Sequence, residues 1–428
     1  MKRYILENYG CQMNIAEGNA LDLLLSGAGF EKTDDGRSAD AVIINTCSVR
    51  KSAENRIWGR LSHYNHLKKT GSHLKLVVTG CMAERLKDEL KKEAPFVDAV
   101  IGTNEKMDIV DFLCEDRLER EDGYHFMASY YQEGEKSSYV PIMNGCNNFC
   151  SYCIVPYVRG REVSRPVDDI LKEVAFLESK GVREITLLGQ NVNSYNYEGL
   201  RFPELLRRIA SSLDSIEFVR FDSPHPKDFP DELMRVIAEE ERVCSHIHLP
   251  MQAGSSRILS LMNRKTTREG FFSLVDRMRS SIPDLTFSTD VMVGFPTETE
   301  EEYEETLSAM DYLAPIEAFM YYYNLREGTP AARMEGQIPE EEKTRRLERL
   351  IDEQLKRAAR IKEGRVGQSF RALVLSPTRD DRTAFLARNA HNETVSFHPK
   401  TKVAPGDIVT LRTLALKGNT YIGEQCDE

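Results

Sequence analysis

The sequence predicts an α/β protein: an open parallel α/β domain, then a second β/α array curled into a partial barrel, then a small terminal β-barrel. Three observations predict it. Short apolar runs alternate with helical patterns in two separate series, as buried parallel strands and their crossover helices do. A polar, acidic stretch at 115–138 lies between the two series and reads as a linker. Beyond residue 366 the pattern changes to short strands broken by Pro and Gly turns.

In the first series the strand candidates are 4–8, 41–45, 74–79 and 99–101, with helical patterns at 16–25 and 52–67 between them. In the second they are 140–143, 184–188, 217–221, 244–249, 286–293 and 318–323, separated by helices such as 168–179, 268–279 and 300–312. Six β/α units suit a barrel-like parallel sheet. A charged helix at 338–363 follows, with Leu347, Leu350, Ile351, Leu355 and Ala358 as its apolar stripe. Strands at 370–375, 394–397 and 407–411 then build the terminal barrel.

The 428 residues carry a net charge of −11, which argues against a uniformly basic coat but leaves local basic patches open. No apolar run approaches a membrane span, and the first residues lack a secretory signal pattern, so a cytoplasmic protein is expected. The nine cysteines are an odd count in a long chain, which favours metal or redox chemistry over a disulfide framework.

Cys146, Cys150 and Cys153 form a C-x3-C-x2-C loop directly after a predicted strand. Three thiolates leave one iron of a four-iron cluster open for a ligand. The competing reading is structural zinc, which needs a fourth ligand; His125 is the only further Cys or His between Cys114 and His225. Cys11, Cys47 and Cys81 each follow a predicted strand, and parallel strands end on one edge of a sheet, so these three are expected to converge. Gly10 and Gly80 permit the tight turns. The competing reading is buried core cysteine, which three at one structural station make unlike chance. Cys114, Cys244 and Cys426 share no such pattern and read as structural.

The C-x3-C-x2-C loop resembles the radical S-adenosylmethionine (SAM) superfamily. Together with the three strand-end cysteines it resembles the methylthiotransferase family of radical SAM enzymes. The runs 188–195, 248–256, 261–265 and 289–299 look like further segments of that family, and 318–323 with 326–329 like the branch acting on N6-isopentenyl(dimethylallyl)adenosine in tRNA. The resemblance implies a methylthiotransferase N-terminal domain at 1–115, a partial TIM-type radical SAM barrel at 132–365 and an OB-like TRAM RNA-binding domain at 366–427. It implies two 4Fe–4S clusters and SAM: a radical SAM cluster on Cys146, Cys150 and Cys153, and an auxiliary cluster on Cys11, Cys47 and Cys81 that handles sulfur. Tyr152 would pack on the SAM adenine.

Gln190, Ser223, Gln252 and Asp290 lie near predicted strand ends, where barrel side chains reach a ligand, and Arg220 and Arg326 are candidates for the SAM carboxylate. Each has a plainer reading as a turn, cap or salt-bridge residue. His225, His246 and His248 are assigned no iron. Arg159, Arg161 and Arg165 follow the cysteine loop and are expected to contact RNA. Residues 343–371 hold ten Lys/Arg against four Asp/Glu, and 50–69 hold six against one, with Trp58. For the first of these stretches a solvated helix face is the competing reading. In the terminal barrel, Phe385, Arg388, His391, Phe397 and His398 are expected against bases. The target base must be splayed out, so an anticodon stem-loop of tRNA is the expected partner, with an electron donor such as flavodoxin or ferredoxin and a sulfur donor, the enzyme being a monomer. Competing functions are methylthiolation of threonylcarbamoyladenosine tRNA or of a ribosomal-protein aspartate, and a non-catalytic RNA-binding protein with structural zinc.

Overall fold

The computed structural model describes residues 2–48, 51–115, 126–127 and 131–426. Most of the expected linker, and His125, fall outside them. The chain divides into two compact units: Met1–Gln132 with Tyr139–Phe149 and Cys153–Arg165, and Glu133–Ser138 with Cys150–Tyr152 and Pro166–Glu428. No helix among the described residues is long and apolar enough to cross a membrane.

The first unit is organised on a five-stranded sheet in which every pairing is parallel. Its central strands Ala41–Thr46 and Lys75–Gly80 are buried almost throughout, because helices cover both faces. An edge strand at Phe30–Lys32 escaped the sequence reading because three residues carry no period. The strand order, counted along the chain, is 2-1-3-4-5. In this order the first and third strands flank the topological switch point, and ligands bind outside their carboxyl ends.

In the second unit, Glu184–Leu188 and Phe218–Phe221 pair in parallel, as do His246–His248, Thr286–Val293 and Glu317–Tyr322. A single parallel bridge, Val219 to Val243, joins the two sets, so the strands follow chain order around a partial barrel. Register puts Glu184, Arg220, His246, His248, Ser288, Asp290 and Phe319 on the lumen side, which makes the lumen polar rather than filled with branched aliphatics.

The helix Glu340–Glu363 corrects the expected stripe. Leu355 is 54% exposed, and the buried face holds Arg346, Leu350, Gln354, Arg357, Ala358 and Lys362. Their polar tips reach partners: Arg346 binds Glu298 at 2.8 Å, Arg357 binds Asp311 at 2.6 Å, and Gln354 donates to the Pro315 carbonyl at 2.9 Å. The chain ends in a closed five-stranded barrel around Val374, Val395, Phe397, Leu411 and Tyr421. Two of its strands, Phe385–Asn389 and Thr420–Gln425, were not expected from sequence.

Candidate functional site

Register aligns Asn8, Asn45, Thr79 and Ile101 across four strands of the first unit. Cys11 lies three residues beyond that row, and Cys47 and Cys81 two residues beyond it, so all three occupy one sheet edge beside the switch point. Cys47 and Cys81 are buried and Cys11 is exposed, which leaves the group open on one side.

A buried polar network holds the three turns. Asn14 Nδ2 donates to the Tyr9 carbonyl at 2.8 Å and to the Thr46 carbonyl at 2.7 Å. Asn45 Nδ2 donates to Asn8 Oδ1 at 3.0 Å, and Thr46 Oγ1 donates to the Thr79 carbonyl at 2.5 Å. Gly10 has φ +119°, and a Cβ there would stand 2.5 Å from Cys47 Cβ. Gly80, at φ +91°, would collide with the Thr46 carbonyl. Both glycines are therefore required by close approach of the cysteine turns as well as by backbone angle. Among the described residues no three His, Cys, Asp or Glu are gathered to hold a single metal ion. A cubane spreads its thiolates over separate corners and asks for wider spacing.

In the second loop, the Cys146 amide donates to the Gly160 carbonyl at 3.1 Å, within the first unit. Gly145, at φ +81°, is held where a Cβ would collide with the Arg161 carbonyl. Cys146 and Cys150 are buried and Cys153 is half-buried. In the second unit, Arg264 Nη1 lies 3.8 Å from Cys150 Sγ, and Nη2 donates to the Pro250 carbonyl at 2.7 Å. Tyr152 packs against the apolar cluster of Ala253, Ile258, Met262 and Phe295.

Three buried polar atoms near these strand ends lack a protein partner: Arg264 Nε, His225 Nε2 and Asn191 Oδ1. Burial, with the Arg264 and Lys227 charges, drives the His225 pKa down to about 2, so its imidazole is neutral. A polar ligand of the size and chemistry of SAM would satisfy such atoms, and on this ground the residues present fit that cofactor. In the sequence Arg264 and Asn191 stand only inside longer runs, and His225 reads as a histidine without iron; no local pattern marks an unpartnered atom. Ser223 and Gln252 adopt φ of +61° and +70°, strained for non-glycine residues and concentrated at functional sites. The Gln252 amide donates to the Asp290 carbonyl at 2.8 Å. Asp290 accepts from His248 at 3.3 Å, and that contact raises the His248 pKa against the downward pull of burial. Gln190 is half-buried.

Several expectations about cations are corrected. Arg220, expected at the SAM carboxylate, is engaged within the fold: its Nε binds Glu184 at 2.7 Å, and its other nitrogens donate to the Ala390 and Asn389 carbonyls at 3.2 and 2.6 Å. Arg388 binds the same Glu184 carboxylate. Arg326 is buried. Arg159 is 3% exposed and held by Glu17, so it cannot track a phosphate in this arrangement; Arg165 is buried and donates to the Pro141 carbonyl at 3.2 Å. Arg161 alone of that trio is exposed, 4.4 Å over the Phe149 ring. The cations of 343–371 largely meet carboxylates, Arg345 with Glu300, Arg349 with Glu304 and Arg365 with Asp284 among them, which favours a paired helix face over a phosphate track. In the terminal barrel Phe397 is core, Phe385 packs against that core and His391 binds Asp284 at 2.8 Å; His398 is exposed. Cys244 is buried, which pushes its thiol up to about 11 and leaves it inert.

Residues 140–310 match the Radical SAM superfamily, and residues 3–102 match Uncharacterized protein family UPF0004. A protein named tRNA-2-methylthio-N(6)-dimethylallyladenosine synthase from Treponema pallidum is 45% identical over 88% of both chains. Proteins of the same name from Treponema denticola and Bacteroides fragilis are 44% identical over 98% of both chains, and 42% identical over 99% of this chain and 96% of the relative. Among solved structures, the radical S-adenosylmethionine methyltransferase TsrM from Kitasatospora setae superposes with a TM-score of 0.59 at 16% identity, covering 78% of this chain and 77% of that one. The cobalamin-dependent S-adenosylmethionine radical enzyme OxsB gives 0.53 at 11% identity, over 82% and 56%. These two likenesses establish shared fold alone.

Proposed function

The chain belongs to the tRNA-2-methylthio-N(6)-dimethylallyladenosine synthases, a methylthiotransferase family of radical SAM enzymes, and on that premise we propose that it inserts a methylthio group at C2 of N6-isopentenyl(dimethylallyl)adenosine at position 37 of tRNA, next to the anticodon. The observation that carries the reading is a 44% identity sustained over 98% of both chains.

In this reading Cys146, Cys150 and Cys153 hold the radical SAM cluster, and Cys11, Cys47 and Cys81 hold a second one. When bound, these groups and SAM supply reductive cleavage, hydrogen abstraction and a sulfur to transfer. The chain's own residues do the remaining work. Arg264 places a positive charge 3.8 Å from Cys150 Sγ, where it would face the negative charge of a thiolate-ligated cluster. The Asn14 and Asn45 amides fix the turns before Cys11 and Cys47, so the thiolates need little reorganisation on binding. Tyr152, Gln190, Ser223, Gln252 and Asp290 are the proposed SAM contacts, joined by His225 and Asn191. Arg161 is the proposed RNA contact of the loop.

The proposed division is a methylthiotransferase domain at 1–115, a radical SAM domain at 132–365 and a TRAM domain at 366–427 that binds the anticodon stem-loop. The reading further places a monomeric enzyme in the cytoplasm, served by a reductant such as flavodoxin or ferredoxin and by a sulfur donor.

The test is nucleoside mass spectrometry after anaerobic incubation with SAM, reductant and isopentenylated tRNA. The 2-methylthio nucleoside is expected. Cys47→Ala should keep SAM cleavage and lose sulfur insertion, whereas Cys150→Ala should lose both. Product on threonylcarbamoyladenosine tRNA alone would overturn the substrate assignment.

A further inference from the structure

Arg159 follows the radical SAM cysteines by six residues in sequence, yet its side chain serves the other trio. The segment Cys153–Arg165 belongs to the first unit. There Ile154 and Val158 pack directly on Cys81. Arg159 Nη1 donates to Glu17 Oε1 at 2.7 Å and to Asn144 Oδ1 at 2.9 Å, and Nη2 donates to Asn14 Oδ1 at 3.1 Å. Asn14 is the residue whose amide group grips the Tyr9 and Thr46 carbonyls, immediately ahead of Gly10–Cys11 and Cys47.

Lys106 binds the same Glu17 carboxylate. Side chains of Arg159, Lys106 and Glu17 are 3%, 3% and 4% exposed. Two buried cations therefore share one buried carboxylate. Burial alone would raise the Glu17 pKa; Arg159 and Lys106 hold it at about 2, so the carboxylate is ionised. Cys81 and Cys11 stand close enough to favour the Arg159 charge further. A surplus positive charge in a dry site is costly unless an anion balances it. A thiolate-ligated iron–sulfur cluster is such an anion, and it becomes more negative with each electron it accepts.

We propose that Arg159 is a positioning residue for the group bound at Cys11, Cys47 and Cys81: through Asn14 it fixes the cysteine turns, and with Lys106 and Glu17 it supplies a net positive field that raises that cluster's reduction potential. The inference rests on the proposed reading of these three cysteines as cluster ligands. It ties the segment after the radical SAM loop to the sulfur-bearing site without any contact to RNA. Cluster potentials depend on net charge, hydrogen bonding and solvent exposure, and Arg159 acts on the first.

The test isolates one cluster. In a Cys146→Ala, Cys150→Ala, Cys153→Ala background the protein is reconstituted anaerobically, iron and sulfide are counted, and the midpoint potential is followed by electron paramagnetic resonance. Arg159→Gln removes a positive charge and should shift the reduction equilibrium at least tenfold towards the oxidised form, about 59 mV more negative. Glu17→Gln removes a negative charge and should move the potential the opposite way. Arg159→Lys and the double variant Glu17→Gln with Arg159→Gln should lie near the parent, and they carry the comparison if a single variant loads no iron. A merely structural role would shift both single variants in the same direction, and that result, or no shift in either, overturns the proposal. If the parent background binds no cluster, the reading of the cysteine trio fails first and the inference goes with it.

Discussion

Glu184 offers a sharp test of how the terminal barrel is attached. It opens the strand Glu184–Leu188, its side chain is 1% exposed, and it accepts from Arg220 Nε at 2.7 Å and from Ser137 at 3.0 Å, as well as from Arg388 of the terminal barrel. Around it, Arg220 donates to the Asn389 and Ala390 carbonyls, Thr286 Oγ1 donates to the His391 carbonyl at 3.2 Å, and Ser245 pairs with His391 Nδ1 at 3.2 Å. Glu184, Ser245 and Thr286 stand at or just before the amino ends of barrel strands, and Arg220 reaches the same group from within Phe218–Phe221, so a hairpin tip of the terminal barrel caps the lumen on the face that in such barrels serves stability. Glu184→Gln keeps the shape and removes the charge opposite two guanidinium groups. Breaking a buried pair costs roughly 3–5 kcal/mol. Arg220 keeps its two carbonyls, and Arg388, 29% exposed, keeps some water, which places the cost near the lower end, about 3 kcal/mol.

The assay is urea unfolding of the apo protein, followed by far-ultraviolet circular dichroism and by emission of Trp58, the only tryptophan, which lies in the first unit. The dichroism transition should move to lower urea while the tryptophan transition stays. The pH dependence has a fixed sign. Burial opposes ionisation of Glu184, but Arg220 and Arg388 more than offset it and its pKa is lowered. The unfolded chain then binds more protons in mildly acidic solution, so the ionised pair contributes fully above the ordinary carboxylate range, about pH 4, and its contribution fades as pH falls through the lowered value. The gap between parent and variant should be widest at pH 7 and shrink towards pH 3. A change under about 0.5 kcal/mol at pH 7, the scale of an ordinary surface substitution, or a gap that persists at pH 3, would refute the charged latch.

Gly10→Ala should drive Cβ into Cys47 and strain φ by roughly 1–3 kcal/mol, so iron per chain after reconstitution should fall by about half, the share of one cluster of two. Arg264→Met should weaken SAM binding by about tenfold or more in equilibrium dialysis, the scale of one hydrogen bond to a charged group. The His225 imidazole should show no protonation shift in its carbon-13 resonances between pH 8 and pH 4, given a pKa of about 2.

The parallel strands were legible because burial on both faces leaves a continuous apolar run, as at Val42–Ile44 and Val77–Val78. The convergence of Cys11, Cys47 and Cys81 was legible for a topological reason: parallel strands share one carboxyl edge, so a cysteine just past three strand ends has nowhere else to be. The long helix was visible and its buried face was not. Periodicity weighs only apolar residues, and that face buries Arg346 and Arg357 against carboxylates of another helix and a loop.

The arginines show the deeper limit. Arg159, Arg161 and Arg165 are spaced within seven residues and look alike as a basic run after a cysteine loop. One is exposed, one caps a carbonyl, and one is buried against a carboxylate 142 residues away. A charge's role depends on which opposite charge the fold delivers to it, and delivery across such a separation leaves no local trace. Local basic density therefore overestimates RNA-binding surface wherever the same chain supplies the anions. With a net charge of −11 and 68 acidic residues against 57 basic ones, this chain supplies them in excess. The nucleic-acid face is accordingly better sought among cations that remain exposed after folding. Neutralising Arg161 should weaken tRNA binding and lessen its salt dependence by about one counterion, whereas Arg159→Lys should leave that salt slope unchanged.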